Sequence, residues 1–203
     1  FLFLQTNGLN IDNGKVFPLG GISNITTIHA NESGYYPIIE TDEHGFNNPK
    51  GLYKKNEVDI VLIGDSQTEG YAVNYDETIS SFLKKAGFKT LNFGKGGNGT
   101  LIEFATLKEY AEPLQPKVVL WIYVHNDFYD LAREMNSLIL RKYLNEKSFS
   151  QNLITKQNKI DSILKNYITK KLTEKKIEIN KENNKFGRVI KIIKLYNVRT
   201  LIN

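Results

Sequence analysis

Three short stretches of this chain carry residue types suited to acyl chemistry. Gly64-Asp65-Ser66 follows an apolar run and precedes Gln67-Thr68-Glu69-Gly70, so Ser66 falls where a strand-to-helix turn would expose its hydroxyl. A serine so placed can serve as a nucleophile; it can equally be an ordinary helix cap. Asn92-Phe93-Gly94-Lys95-Gly96-Gly97-Asn98-Gly99 is glycine-rich. Without side chains in the way, its backbone N–H groups can converge on an anionic oxygen, as an oxyanion hole or a phosphate cradle requires. Asn126-Asp127 closes a third apolar run. An Asn amide there donates to a developing oxyanion or completes a turn.

The pattern around these stretches shows which strands and helices hold them. Val58–Ile63 reads as a buried strand. Glu77–Ala86 reads as a helix, with Ile79, Phe82, Leu83 and Ala86 at helical spacing and Gly87 as its stop. A strand at Lys89–Phe93, a helix from Leu101 to about Ala111 closed by Pro113 and Pro116, and a strand at Val118–Val124 complete the series. Near-continuous apolar strands alternating with helices predict an α/β fold with a parallel sheet covered on both faces. Ligands in such sheets sit at the carboxyl ends of the strands, which is where all three stretches fall.

Residues 1–55 form a lead-in of short strands (Ile25–His29, Tyr35–Thr41) separated by turn chemistry at Phe17–Gly21 and Asn47–Gly51. Phe1-Leu2-Phe3-Leu4 reads as an edge strand, too short to be a signal-peptide core. Residues 56–135 are the α/β core, and 136–203 a basic helical extension of the same domain. Helical patterns run over Leu131–Leu144, Asp161–Leu172 and Phe186–Tyr196, with Thr173–Lys185 expected as a linker.

Composition removes several function classes. With no cysteine there is no thiolate nucleophile, and His29, His44 and His125 match no zinc spacing, so no metal or other cofactor is expected. No P-loop signature occurs. Gly94-x-Gly96-x-x-Gly99 does satisfy the dinucleotide fingerprint, although it sits in the second βα unit and the next strand ends in neutral His125-Asn126. Residues 1–140 carry a net charge of −6 and residues 141–203 a net +11. The lysines of the basic part are spread at helical intervals without interleaved aromatic residues, which predicts a solvated helix face and no nucleic-acid partner. The chain starts at Phe1 and its one methionine is Met135, so a membrane anchor upstream of residue 1 is an expectation.

Together, Gly64-Asp65-Ser66, the Asn92–Gly97 loop and Asn126-Asp127 resemble the first three sequence blocks of the SGNH (GDSL) hydrolases. The resemblance covers about Val58 to Leu131. Thr41-Asp42-Glu43-His44-Gly45-Phe46-Asn47-Asn48-Pro49 is similar to a segment preceding that domain in a bacterial subgroup tied to surface-glycan genes. The resemblance implies a three-layer α/β/α, flavodoxin-like fold cut short at its C-terminus. It also implies a serine esterase or O-acyltransferase acting on small acyl esters of carbohydrate, acetyl esters among them, at the cell envelope or periplasm. Ser66 would be the nucleophile, with the Ser66 and Gly97 N–H groups and the Asn126 side chain as oxyanion hole. The chain departs from the family in having His125 where Gly is usual and in lacking the Asp-x-x-His block, so the catalytic histidine is expected beyond Asn203. His125 and His44 are weaker candidates for the base, and His29 reads as a strand-surface residue. A dinucleotide site at Gly94–Gly99 and a non-catalytic glycan- or protein-binding module remain open.

Overall fold

The computed structural model describes residues 8–12 and 14–199, the side chains of Asn126 and of 181–199 excepted. The strand expected at Phe1–Leu4 lies outside the described residues. Those up to Asp161 form one compact unit and those from Ser162 a second.

The first unit is mixed α/β. Its lead-in holds two antiparallel pairs, β1 (Leu9–Ile11) with β2 (Gly14–Val16) and β3 (Thr26–Ile28) with β4 (Ile38–Glu40). The main sheet is parallel, in the order β6–β5–β7, from β5 (Ile60–Gly64), β6 (Thr90–Asn92) and β7 (Val118–Ile122). Crossovers carry α1 (Ser66–Glu69) and α2 (Ile79–Lys85) between β5 and β6, and α3 (Thr100–Thr106) between β6 and β7. After β7 come α4 (His125–Glu134), α5 (Leu138–Asn145) and α6 (Leu153–Arg199).

β5 is buried along its whole length, as a central parallel strand of Ile and Val should be. β7 is not. Val118, Val119, Leu120 and Trp121 remain 39–46% exposed, in a strand at the sheet edge that pairs with β5 alone among the described strands. The expectation of a sheet covered on both faces holds for β5 and fails for β7.

The stripe expected to bury α2 faces outward. Phe82 is 59% exposed while Ser80 and Ser81 are buried. Those serines can face inward because their hydroxyls are satisfied locally, Ser81 Oγ donating to Asp76 O at 3.1 Å and Ser80 Oγ lying 3.1 Å from Thr78 Oγ1.

The chain after β7 also differs from the sequence pattern. A helix starts six residues earlier than the periodicity suggests, because Asp127 in its first turn accepts the Val124 N–H at 2.7 Å. It ends at Glu134, and Ser137 caps a separate helix by accepting the Leu140 N–H at 3.3 Å. No linker interrupts 173–185, which lies inside α6. That stretch lacks Gly and Pro, and its Lys and Glu residues are good helix formers. The start of α6 belongs to the first unit, where Asp161 accepts Ser23 N–H at 3.0 Å and Ser23 Oγ–H at 2.5 Å.

Candidate active site

β5 delivers Ser66 to the carboxyl edge of the sheet. The residue that caps α1 is Asp65, whose carboxylate accepts the Gln67 N–H at 2.9 Å. Ser66 is therefore the first helical residue and is not needed as the cap. It is half-buried, its Oγ is 3.4 Å from Asp65 Oδ2, and its backbone N–H has no acceptor among the described residues. The turn needs Gly64, because a Cβ there would collide with Thr68 Oγ1 and the Ile122 carbonyl.

β6 delivers the glycine loop to the same place. Asn92 holds both sides of it, donating to Thr68 O at 2.6 Å and accepting from Gly94 N at 2.8 Å. Lys95 N–H donates to Gly64 O at 3.2 Å. Gly94 lies so close to α1 that a Cβ would strike Glu69 N and the Thr68 carbonyl carbon. A Cβ built on Gly96 would stand 3.6 Å from Ser66 Cβ, which puts the loop beside the candidate nucleophile. Gly97 follows in the left-handed region (φ +82°), exposed, with no acceptor for its N–H among the described residues.

Glu69 fastens this arrangement, a role the sequence reading missed. One turn after Ser66 and buried, its carboxylate accepts Lys95 Nζ–H at 2.6 Å and Gly96 N–H at 2.6 Å. The Gly96 amide is thereby taken and the Gly97 amide is left over.

The third segment arrives through β7. Gly64 pairs with Ile122, so the chain after β7 runs beside the Asp65-Ser66 turn. Asn126 lies in the first turn of α4, rather than at a strand tip. Its side chain is outside the described residues. Asp127 is committed to Val124 N–H, and Thr100 Oγ donates to Asp127 O at 3.4 Å. Glu134 at the far end of α4 accepts the Gly99, Leu101 and Ile102 N–H groups at 2.7, 2.9 and 3.2 Å. Its carboxylate therefore occupies the N-terminus of α3, where the fingerprint reading would place a pyrophosphate.

Thr41–Asn48 is buried apart from the half-buried Glu43, although its asparagines read as turn residues. Asp42 accepts from His44 N, Phe46 N, Asn48 Nδ2 and Tyr53 Oη at 2.7–3.0 Å. Asn47 then donates to Glu69 O at 2.9 Å. Asn48 imitates a neighbouring strand for β6, accepting Asn92 N–H at 2.9 Å and donating to Asn92 O at 2.8 Å. The lead-in thus closes the β6 edge and braces the helix that carries Ser66.

None of the three histidines hydrogen-bonds Ser66. His44 is a core residue edge-on to Tyr53, its pKa pushed down by burial, and does not fold over the site. His29 is buried instead of lying on a strand surface. It stacks on Tyr71 with Nδ1 3.1 Å from Tyr71 O and Nε2 3.9 Å from Glu69 Oε1. His125 opens α4, exposed and edge-on to Tyr129.

Comparison with protein-family models, curated proteins and solved structures finds no match to this chain.

Behind the site, burial raises the carboxyls of Asp127 and Glu134, and pushes Glu103 up to about 8. Glu103 accepts Trp121 Nε1–H at 2.7 Å, while its other oxygen and Asp127 Oδ1 are buried without a partner among the described residues.

Proposed function

We propose that this chain carries the nucleophile and oxyanion hole of an SGNH-type serine esterase or O-acyltransferase. The observation that carries the proposal is the packing of the glycine loop against Ser66, with Glu69 taking the Gly96 amide while the Ser66 and Gly97 amides keep no acceptor among the described residues. The strand order β6–β5–β7 is second, first, third in chain order, and agrees with the start of a flavodoxin-like doubly wound sheet.

In the proposed reaction Ser66 Oγ attacks an ester carbonyl and its proton passes to an imidazole. The developing oxyanion is held by the Ser66 and Gly97 N–H groups and the Asn126 amide. The carbonyl–alkoxy bond breaks, the imidazolium protonates the departing alcohol, and the acyl group passes from Ser66 to water or a sugar hydroxyl. None of His29, His44 and His125 hydrogen-bonds Ser66, and the proposal assigns the base to none of them. A small acyl ester of carbohydrate is the proposed substrate, supported by the Thr41–Pro49 resemblance.

The lack of an imidazole at Ser66 among the described residues favours one second reading, a binding module of the same fold without catalysis. The dinucleotide alternative is disfavoured by Glu69 and Glu134, whose carboxylates hold the amides that phosphates would need.

Exogenous imidazole can supply the base in a test. With p-nitrophenyl acetate and imidazole, an acetyl ester removable by hydroxylamine should form at Ser66 and be absent in Ser66→Ala. Ester spread over many serines, or unchanged in Ser66→Ala, would refute the proposal.

A further inference from the structure

A recess lies at the opposite end of the sheet from Ser66. Val58, Lys89, Thr90 and Leu91, at or before the amino ends of β5 and β6, form one side of a cavity of about 520 Å³, and Leu52 and Phe88 line it with them. This volume falls within the range of small-molecule pockets, about 300–1,000 Å³. The lining is mainly apolar, and Phe88 remains exposed although nothing polar requires it to be.

Three lysines, Lys54, Lys84 and Lys89, line the recess with one carboxylate, Glu57. Glu43 and Asp59 stand behind the lining, on the N–H groups of Gly51 and Lys89. Glu57 Oε2 serves both Lys89 at 3.4 Å and Lys54 at 4.0 Å. Lys84 has no carboxylate partner among the described residues; its one hydrogen bond goes to Tyr75 Oη at 2.8 Å. An ammonium has three donors, so two are left over. Desolvation lowers the Lys84 pKa to about 8 against the weaker opposing pull of Asp42. Asp42 and the Tyr75 ring, 5.3 Å from Lys84 Nζ, compensate this half-buried cation only in part, and an incompletely paired buried charge is costly.

We propose that this recess binds an apolar carboxylate, an alkanoate or arylalkanoate, with its carboxylate on Lys84 and its hydrocarbon against Leu52, Phe88 and Leu91. Charge complementarity selects an anion, and the apolar lining selects one with a hydrocarbon body. The site is separate from the Ser66 edge and does not depend on the reaction proposed there.

Titration calorimetry of the whole chain with decanoate below its micelle concentration tests the assignment, with decanol and acetate as comparisons. Decanoate should bind saturably with 1:1 stoichiometry. Decanol should bind at least about tenfold more weakly, the equivalent of roughly 1.4 kcal/mol, and acetate should give no saturable heat. Lys84→Met should weaken decanoate by a similar factor without lowering the melting temperature, and Lys84→Arg should keep most of the affinity. Equal binding of decanol and decanoate, no saturable decanoate binding, or full affinity in Lys84→Met would each overturn the proposal. The decanol comparison uses the unaltered chain, so it decides even if a variant fails to fold.

Discussion

The Glu69–Lys95–Gly96 fastening can be tested by a double-mutant cycle. Glu69→Gln leaves one oxygen to accept the Gly96 N–H but turns an amide N–H toward the Lys95 ammonium. The Lys95 bond, 2.6 Å long to a carboxylate whose side chain is 3% exposed, is lost. Hydrogen bonds to charged groups are worth about 1.5–3 kcal/mol net, so the expected cost is about 2 kcal/mol. Lys95→Met leaves the Glu69 carboxylate with the Gly96 amide as its hydrogen-bond donor and His29 Nε2 3.9 Å away. Breaking a fully buried pair from one side costs about 3–5 kcal/mol. Lys95 is 22% exposed and water relieves part of this, which reduces the expectation to about 2–3 kcal/mol. Glu69→Gln with Lys95→Met has neither the carboxylate nor the facing ammonium. It should lose at least about 1 kcal/mol less than the two single losses added together. Urea unfolding with linear extrapolation supplies all four stabilities. Single losses below about 0.5 kcal/mol that simply add would show that the loop is held by its backbone alone.

Asn48→Leu should cost about 2–4 kcal/mol in the same assay, because it strips the Asn92 N–H and C=O of their partners and removes one donor to Asp42; a loss under about 1 kcal/mol would mean that water replaces Asn48 freely. Glu103 predicts a pH dependence. Its folded pKa of about 8 lies above the ordinary carboxylate value of 4.5. Between those limits the folded state keeps a proton that the unfolded state has lost, so stability falls as pH rises through the window, by at most about 1.4 kcal/mol per pH unit. Glu103→Gln keeps an acceptor for Trp121, should flatten that slope and should be the more stable protein at about pH 8; an unchanged slope would remove Glu103 as its source. In an assay that reads turnover with imidazole supplied, Asn126→Ala should lose about 10²–10³-fold if its amide holds the oxyanion, and a loss under about tenfold would make it structural.

The central strands were legible because β5 and β7 are continuous apolar runs and Gly64, Asn92 and Pro113 punctuate them. The segments just beyond the strand ends were less so. Whether Ser66 caps α1 or opens it depended on Asp65, one residue away and equally able to cap. Glu69, Glu134 and Asn48 act across 27, 35 and 44 residues of chain, and no local pattern marks a carboxylate or amide whose partners are distant backbone groups. The α2 stripe misled because periodicity shows that a helix has two faces without showing which one meets the sheet; local hydroxyl bonding let Ser80 and Ser81 turn inward. Lys- and Asn-rich composition over 173–185 suits a linker and a solvated helix alike, and the absence of Gly and Pro there was the better guide.

The Ser66 site stands or falls on an experimental structure of the chain after reaction, in the presence of imidazole, with an alkyl p-nitrophenyl phosphonate, which loses p-nitrophenolate as Ser66 Oγ bonds to phosphorus. Phosphorus should be bonded to Ser66 Oγ, with its free oxygen about 2.7–3.1 Å from Ser66 N, Gly97 N and Asn126 Nδ2. A Ser66 adduct whose oxygen points into solvent, with Gly97 and Asn126 turned elsewhere, would contradict it.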